Sequence, residues 1–195
     1  RKYSRFKVMF HELAFQIAKK AHSKQVDKAG KDYILHPMKV ASYMDTDTEK
    51  AVAYLHDVLE DTNVTEDELR NMFPNEIVDG VITLTHRKDE SYFEYISRVS
   101  TSKLAKKIKV ADLLHNLDIT RIKEPTKTDY ERLEKYKKAI EYIEYKARYE
   151  YLRRIFRCSS GLRPAPSCGR SLTLRVFFTI PLSSGVGQPT IGRHL

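Results

Sequence analysis

The sequence predicts an all-α fold. Apolar residues recur at three- and four-residue spacing as far as about residue 156. Threonines followed three residues later by glutamate stand at several segment starts, as capping boxes do. Almost no segment before residue 157 alternates with a period of two, the pattern of a half-buried strand.

The spacing of Phe6, Met9, Phe10, Leu13, Ile17 and Ala21 predicts a first helix over residues 5–23. Gly30 marks a turn after it. Pro37 suits the first position of a short helix carrying Met38, Val40, Ala41 and Met44, and this sets His36 at a helix N-terminus. Thr46-Asp-Thr-Glu49 opens a central helix, read as continuous over 51–62, with an apolar side of Ala51, Val52, Leu55, Val58 and Leu59. Thr65-Glu-Asp-Glu68 opens a short helix that Pro74 ends. Helical patterns follow over 75–85, 91–99 and 102–118, the last with Ala105, Ile108, Ala111, Leu113 and Leu114. Thr128-Asp-Tyr-Glu131 caps a long final helix to about Phe156, with Leu133, Tyr136, Ile140, Ile143 and Ala147 inward.

The composition changes abruptly at about Arg157. Residues 158–195 contain no Asp, Glu, Lys or Tyr, yet hold five of the seven glycines, four of the seven prolines and both cysteines. We divide the chain into a domain over 1–157 and a disordered or non-native tail over 158–195, the alternative being a natural flexible tail. One apolar run in it, 172–180, has strand character but no partner.

The 195 residues suffice for one domain with a sizeable core plus a tail. No apolar run approaches the length of a membrane span, and no secretory core follows the basic start. The chain begins at Arg1 rather than Met, which leaves room for a further N-terminal piece. Cys158 and Cys168 are too few for a disulfide framework or a thiolate zinc site, so the expected setting is the cytoplasm. The net charge of +9 suits polyphosphate ligands or, equally, a solvated lysine-rich surface. Motifs of nucleic-acid binding are missing, and no nucleic-acid partner is expected.

The chemistry concentrates in the central helix, where His56, Asp57, Glu60 and Asp61 fall within six residues of an apolar segment. Such groups are costly to place there without a purpose. His36 stands at a helix start and Asp112 in an apolar run, with Lys109 and Asn116 one turn to either side on its stripe. Two imidazoles and two carboxylates from three helices form an N/O set for Mn²⁺, Fe²⁺, Mg²⁺ or Zn²⁺. Such an ion activates water and polarises a phosphoryl oxygen, and Glu60 and Asp61 are placed to orient that water or exchange its proton. Each residue has a plain alternative: His36 as a satisfied core histidine, Asp112 as a surface charge. His115 is a weaker candidate ligand, and His11, His22, His86 and His194 read as structural, solvent-facing or weakly substrate-facing.

Tyr33-Ile-Leu-His36-Pro37, Leu55-His-Asp-Val-Leu-Glu-Asp-Thr62 and Val110-Ala-Asp-Leu-Leu-His-Asn116 resemble the blocks of HD-domain metal-dependent phosphohydrolases. Within that family they are similar to the hydrolase domain of the RelA/SpoT alarmone enzymes and their small stand-alone relatives, over about residues 5–155. The resemblance implies a compact HD-domain helical bundle. It implies one metal, usually Mn²⁺, on His36, His56, Asp57 and Asp112, with Glu60 and Asp61 catalytic. It implies that Asn116 contacts the substrate sugar, that Lys28 reaches phosphate or base, and that Arg132 and Tyr136 face the nucleotide; for Tyr136, core packing is an equal alternative. The reaction implied is removal of the 3′-pyrophosphate from guanosine tetra- or pentaphosphate, the alarmone of the stringent response. The first loop departs from the pattern: Asp27-Lys28 stands where these hydrolases have Arg-Lys, the Arg packing on guanine, and Asp32 stands where they have Pro. An acid there removes a cation and repels phosphate. The alternatives are therefore an HD nucleotidase or phosphodiesterase with another nucleotide, or a nucleotide-binding module without turnover.

Overall fold

The computed structural model describes residues 9–160, with side chains through residue 152. Among them there are nine α-helices: α1 (Phe10–Ala21), α2 (Leu35–Ala41), α3 (Asp47–Leu55), α4 (Val58–Asp61), α5 (Glu66–Met72), α6 (Asn75–Leu84), α7 (Tyr92–Val99), α8 (Lys103–Asn116) and α9 (Lys127–Ser160). The only extended pairing in this stretch is an isolated bridge between Val26 and Asp32, so the all-α expectation holds. Phe6 and the tail beyond residue 160, with the run at 172–180, Cys168 and His194, lie outside the described residues, as does the side chain of Cys158.

Helix ends explain much of the chain path. Thr46, Thr65 and Ser91 each accept from the backbone N–H three residues on, while Glu49, Glu68 and Glu94 reach back, closing three capping boxes. The α1 N-terminus has no local side-chain cap; the carboxylate of Asp47, at the start of α3, accepts from Phe10 N–H at 3.0 Å and His11 N–H at 3.1 Å. One acid thus satisfies two orphan donors of α1 and sits at the favourable end of two helix dipoles. The cap of α9 lies two residues earlier than the sequence suggests: Asp129 Oδ2 accepts from Thr126 N–H at 3.0 Å and Thr126 Oγ1 at 2.7 Å. Pro37 occupies the third position of α2 rather than the first, where its missing N–H is still one of the helix's orphans.

α3 is the central strut: α1 and α2 pack on one side of it, α6 and α8 on others, and α7 bridges α6 and α8. Val52, Leu55, Val58, Val78, Val81, Ile96, Ile108 and Leu113 are essentially free of solvent. Each large apolar side chain so buried contributes roughly 1.5–3 kcal/mol, an upper estimate against a compact unfolded chain. α9 adds Leu133, Ala139 and Ile143 to this core, with Tyr136 and Ile140 half-buried against it. Met9, Met38 and Leu114, all expected in the core, are exposed: Met9 precedes α1, and the other two lie on the outer side of helices whose opposite face is buried. Ala147 is only half-buried, because α9 by then is passing beyond the helices it covers.

The central segment differs from expectation in one consequential way. It is two helices, α3 ending at Leu55 and the single turn α4 beginning at Val58. Asp57 (φ −103°, ψ −3°) forms the joint. The Ala53 carbonyl, which an unbroken helix offers to the Asp57 amide, accepts from His56 Nδ1–H at 2.7 Å. The side chain of His56 thereby competes with helix continuation at the point where the helix stops.

Candidate metal centre

The joint between α3 and α4 lets two consecutive residues aim at one point. On a straight helix they would diverge by about 100°. His56 Nε2 lies 3.0 Å from Asp57 Oδ2 and 4.0 Å from Asp112 Oδ1 of α8. From the first turn of α2, His36 Nε2 lies 3.2 Å from Asp112 Oδ1 and 3.7 Å from Asp57 Oδ2. One ligand atom each from His36, His56 and Asp112 fall within 4.8 Å of one another. Such spacing suits donors about 2.0–2.2 Å from a shared ion.

The surrounding hydrogen bonds decide the state of each donor. His56 Nδ1–H is committed to the Ala53 carbonyl, which leaves the buried Nε2 as the ring atom facing the carboxylates. His36 Nδ1 stands 2.7 Å from Nδ1 of His115, whose ring stacks on it at 5.0 Å. Burial, then the charges of His36 and Arg121, lower the His115 pKa to about 4, so His115 is neutral. Its Nδ1 also faces the Arg121 guanidinium at 3.3 Å, which only donates. His115 Nδ1 is therefore the acceptor and His36 Nδ1–H the donor, which leaves His36 Nε2 as the atom facing Asp112 and Asp57. Two buried imidazoles thus point their Nε2 atoms at two carboxylates, an arrangement that suits a shared cation.

Charge at the carboxylates points the same way. Burial alone would raise the Asp57 and Asp112 carboxyls, but His56 beside Asp57 and Lys109 beside Asp112 hold both below the usual range. Asp112 Oδ2 accepts from Lys109 Nζ at 2.8 Å, and Oδ1 from Asn116 Nδ2 at 2.6 Å. Asp57 Oδ2 accepts from the Tyr33 hydroxyl at 2.6 Å. Burial would lower His56, but Asp57 and Asp112 outweigh it and raise its pKa to about 9.

The other expected residues are distributed around this point. Asp61 is one hydrogen bond away: Tyr33 Oη lies 3.5 Å from its Oδ2, and burial together with Asp57 and Glu60 raises its pKa. Glu60 is turned outward, its Oε2 accepting from His86 N–H at 3.1 Å. A cavity of about 320 Å³ opens beside His36, Asp57 and Asp112, and Lys28, Asn116, Arg132 and Tyr136 all line it. Lys28 Nζ donates to Asp129 Oδ1 at 2.6 Å, and Arg132 Nη2 reaches the same oxygen at 3.3 Å. Arg132 Nε is buried without a hydrogen-bond partner.

Sequence reasoning missed four contributors: Tyr33, His115 as a support for His36, Asp129 and Arg121. Tyr33 and His115 stand inside the conspicuous blocks and were open to a closer reading. Asp129 and Arg121 lie in a charged linker and helix start with no local signal. The departure at Asp27 also takes a different meaning. Its Oδ1 accepts from Ala29 N–H at 2.8 Å and Lys31 N–H at 2.9 Å, and its Oδ2 from Arg121 Nη2 at 2.5 Å. Burial would raise this carboxyl; these bonds hold it low. Asp27 shapes the loop and is already neutralised by a partner rather than presenting a free charge.

Residues 14–110 match the family model described as HD domain. A probable GTP pyrophosphokinase of Mycobacterium leprae is 33% identical over 139 residues, 64% of this chain and 18% of that protein. The guanosine-3′,5′-bis(diphosphate) 3′-pyrophosphohydrolases of Borreliella burgdorferi and Haemophilus influenzae are 36% and 37% identical over 120 and 117 residues. These matches cover 53% and 52% of this chain, but 18% and 17% of those proteins. The chain therefore spans under a fifth of the curated relatives' length. A solved structure described as a metazoan ortholog of SpoT that hydrolyzes ppGpp superposes with a TM-score of 0.60 at 23% identity, covering 70% of this chain and 86% of that one. That likeness concerns the fold.

Proposed function

The chain carries an HD domain over residues 14–110, and from that premise we propose that it is a metal-dependent phosphohydrolase acting on a nucleotide. The substrate proposed is guanosine 3′,5′-bis(diphosphate), which loses its 3′-pyrophosphate. The observation that carries this reading is the convergence of two buried imidazole nitrogens on two carboxylates. In the proposal His36, His56, Asp57 and Asp112 hold the ion, with Mn²⁺ the metal expected. Once bound, it supplies Lewis acidity toward a phosphoryl oxygen and lowers the pKa of water.

The chain's own groups do the rest. Asp61 is the proton-transfer group in this reading, because it lies one hydrogen bond from Asp57 through Tyr33, and burial and its acidic neighbours raise its pKa. Glu60 is proposed to orient water, and its outward turn toward His86 N–H is the contact it would exchange when substrate enters. Asn116 spends its amide N–H on Asp112 and leaves its carbonyl oxygen for a ribose hydroxyl. Lys28 and Arg132 share a single carboxylate, that of Asp129, so the three leave an excess positive charge suited to phosphate. Tyr136, half-buried beside Arg132, forms the wall behind them. No helix among the described residues is long and apolar enough to cross a membrane; a cytoplasmic enzyme with its hydrolase domain over residues 1–157 completes the proposal.

The test supplies Mn²⁺ and offers guanosine tetraphosphate beside NTPs, dNTPs and nucleoside monophosphates. Pyrophosphate release from the alarmone alone supports the reading. Orthophosphate from monophosphates would favour an HD nucleotidase, the alternative that Asp27 and Asp32 suggest. Binding without turnover of any of them would leave a nucleotide-binding module. Asp57→Ala should abolish turnover, and persisting turnover would mean that the proposed ligand set is wrong.

A further inference from the structure

The cavity beside the metal centre is lined by two charge clusters of different character. At one, Lys28 and Arg132 face one acid, Asp129, and the balance is positive. At the other, Arg121 and Asp27 form a one-to-one pair that joins residues 94 apart in sequence. A neutral pair holds little attraction for phosphate, so Arg121 offers its ligand something other than charge. Its guanidinium is fixed along one edge by Asp27 and steadied by the His115 carbonyl, 3.3 Å from Nη1. A guanidinium fixed at its edge presents a rigid flat face. The neighbouring wall is apolar: Val26 and Ala29 flank Asp27 in the loop, and Ile122 follows Arg121, all lining the same cavity. A flat cation with aliphatic walls fits a planar aromatic ring.

We propose that Arg121, held edge-on by Asp27, is the base-recognition residue of this pocket, its guanidinium face stacking on the nucleobase of the substrate. The inference rests on the nucleotide-hydrolase reading and assigns the base end of its site. Asp27 then acts as a positioning residue for Arg121, and the two segments together supply a platform that neither supplies alone. Phosphates extend toward Lys28, Arg132 and the metal ligands.

The experiment uses the full chain, wild type against Arg121→Lys and Arg121→Gln, with binding of GDP and of inorganic pyrophosphate measured by calorimetry. Arg121→Lys keeps the charge and removes the plane. It is expected to weaken GDP binding about ten-fold while pyrophosphate binding stays within two-fold. Melting temperatures of the variants identify any that fail to fold, and Asp27→Asn, which frees the guanidinium edge, should give a smaller loss with the same ligand preference. Equal losses for GDP and pyrophosphate, unchanged GDP affinity, or no GDP binding by the wild type would each overturn the proposal. Alarmone turnover is followed in parallel. Base-dependent loss without wild-type turnover would retain this inference and discard the hydrolase reading. Turnover with an indifferent Arg121 would do the reverse.

Discussion

Removing one oxygen atom from Tyr33 tests how the metal centre is supported. Tyr33 Oη donates to Asp57 Oδ2 at 2.6 Å, while its ring packs between His22 and His36 with centroids 4.8 and 5.8 Å away. Tyr33→Phe retains that packing and deletes only the hydrogen bond. A bond to a charged acceptor is worth about 1.5–3 kcal/mol. Partners of this kind around metal ligands typically change affinity by about 10–100-fold, and each ten-fold corresponds to about 1.4 kcal/mol, so the two scales agree. Mn²⁺ affinity is therefore expected to fall about 10–100-fold, read by competition with a fluorescent chelator, with the circular dichroism spectrum unchanged. Because the assay reads metal binding directly, any separate effect on Asp61 does not confuse it. An affinity within two-fold of wild type would refute the reasoning, for it would mean that Asp57 is not oriented by Tyr33 or does not hold the ion.

Three further outcomes follow from the scaffold. Glu90, bonded and paired to Arg98, has its pKa lowered to about 2, so its stabilisation is present above its ordinary pKa of 4.5 and is lost as pH falls from there toward 2; Glu90→Gln should flatten the acid side of a melting-temperature profile, by roughly 1–2 kcal/mol after allowance for solvent screening. Gly80 sits where an added Cβ would meet Val52 and Leu104 methyls at 3.1–3.2 Å; Gly80→Ala gains about 1 kcal/mol of helix propensity but overpacks by about 1–3 kcal/mol, so denaturant melts should show net loss. Thr65→Ala removes one half of the α5 capping box and should lower stability by about 1 kcal/mol in the same assay.

The helical periods and threonine boxes made most of the fold legible, because each is a local property of neighbouring residues. The metal ligands were legible for a related reason: His56-Asp57 and Asp112 are polar intrusions in apolar runs, and such intrusions need a partner. The break between α3 and α4 was not, since it depends on which way the His56 ring turns to meet the Ala53 carbonyl. Glu60 illustrates a second limit: spacing put it on the site's helix, but the joint turned it toward His86 instead. Arg121 and Asp129 were invisible because their meaning comes from Asp27 and Lys28, about a hundred residues away. Pattern reading reaches a few turns of helix, whereas a pocket wall is assembled from whichever segments the topology brings together.

The two ion pairs across the cavity carry a further consequence. Asp27 and Lys28 are adjacent and opposite in sign, and their partners Arg121 and Asp129 are opposite in the reverse sense. If the loop slid by one residue, Asp27 would approach Asp129 in one direction, or Lys28 would approach Arg121 in the other, acid to acid or base to base. The correct alignment is thus enforced by repulsion from its nearest error as well as by attraction. Heritable change at these four positions is coupled accordingly. Reversing one charge leaves a clash, and exchanging the members of one pair restores the attraction but lifts the penalty on slippage. Only exchange of both pairs together keeps the pocket's alignment unambiguous.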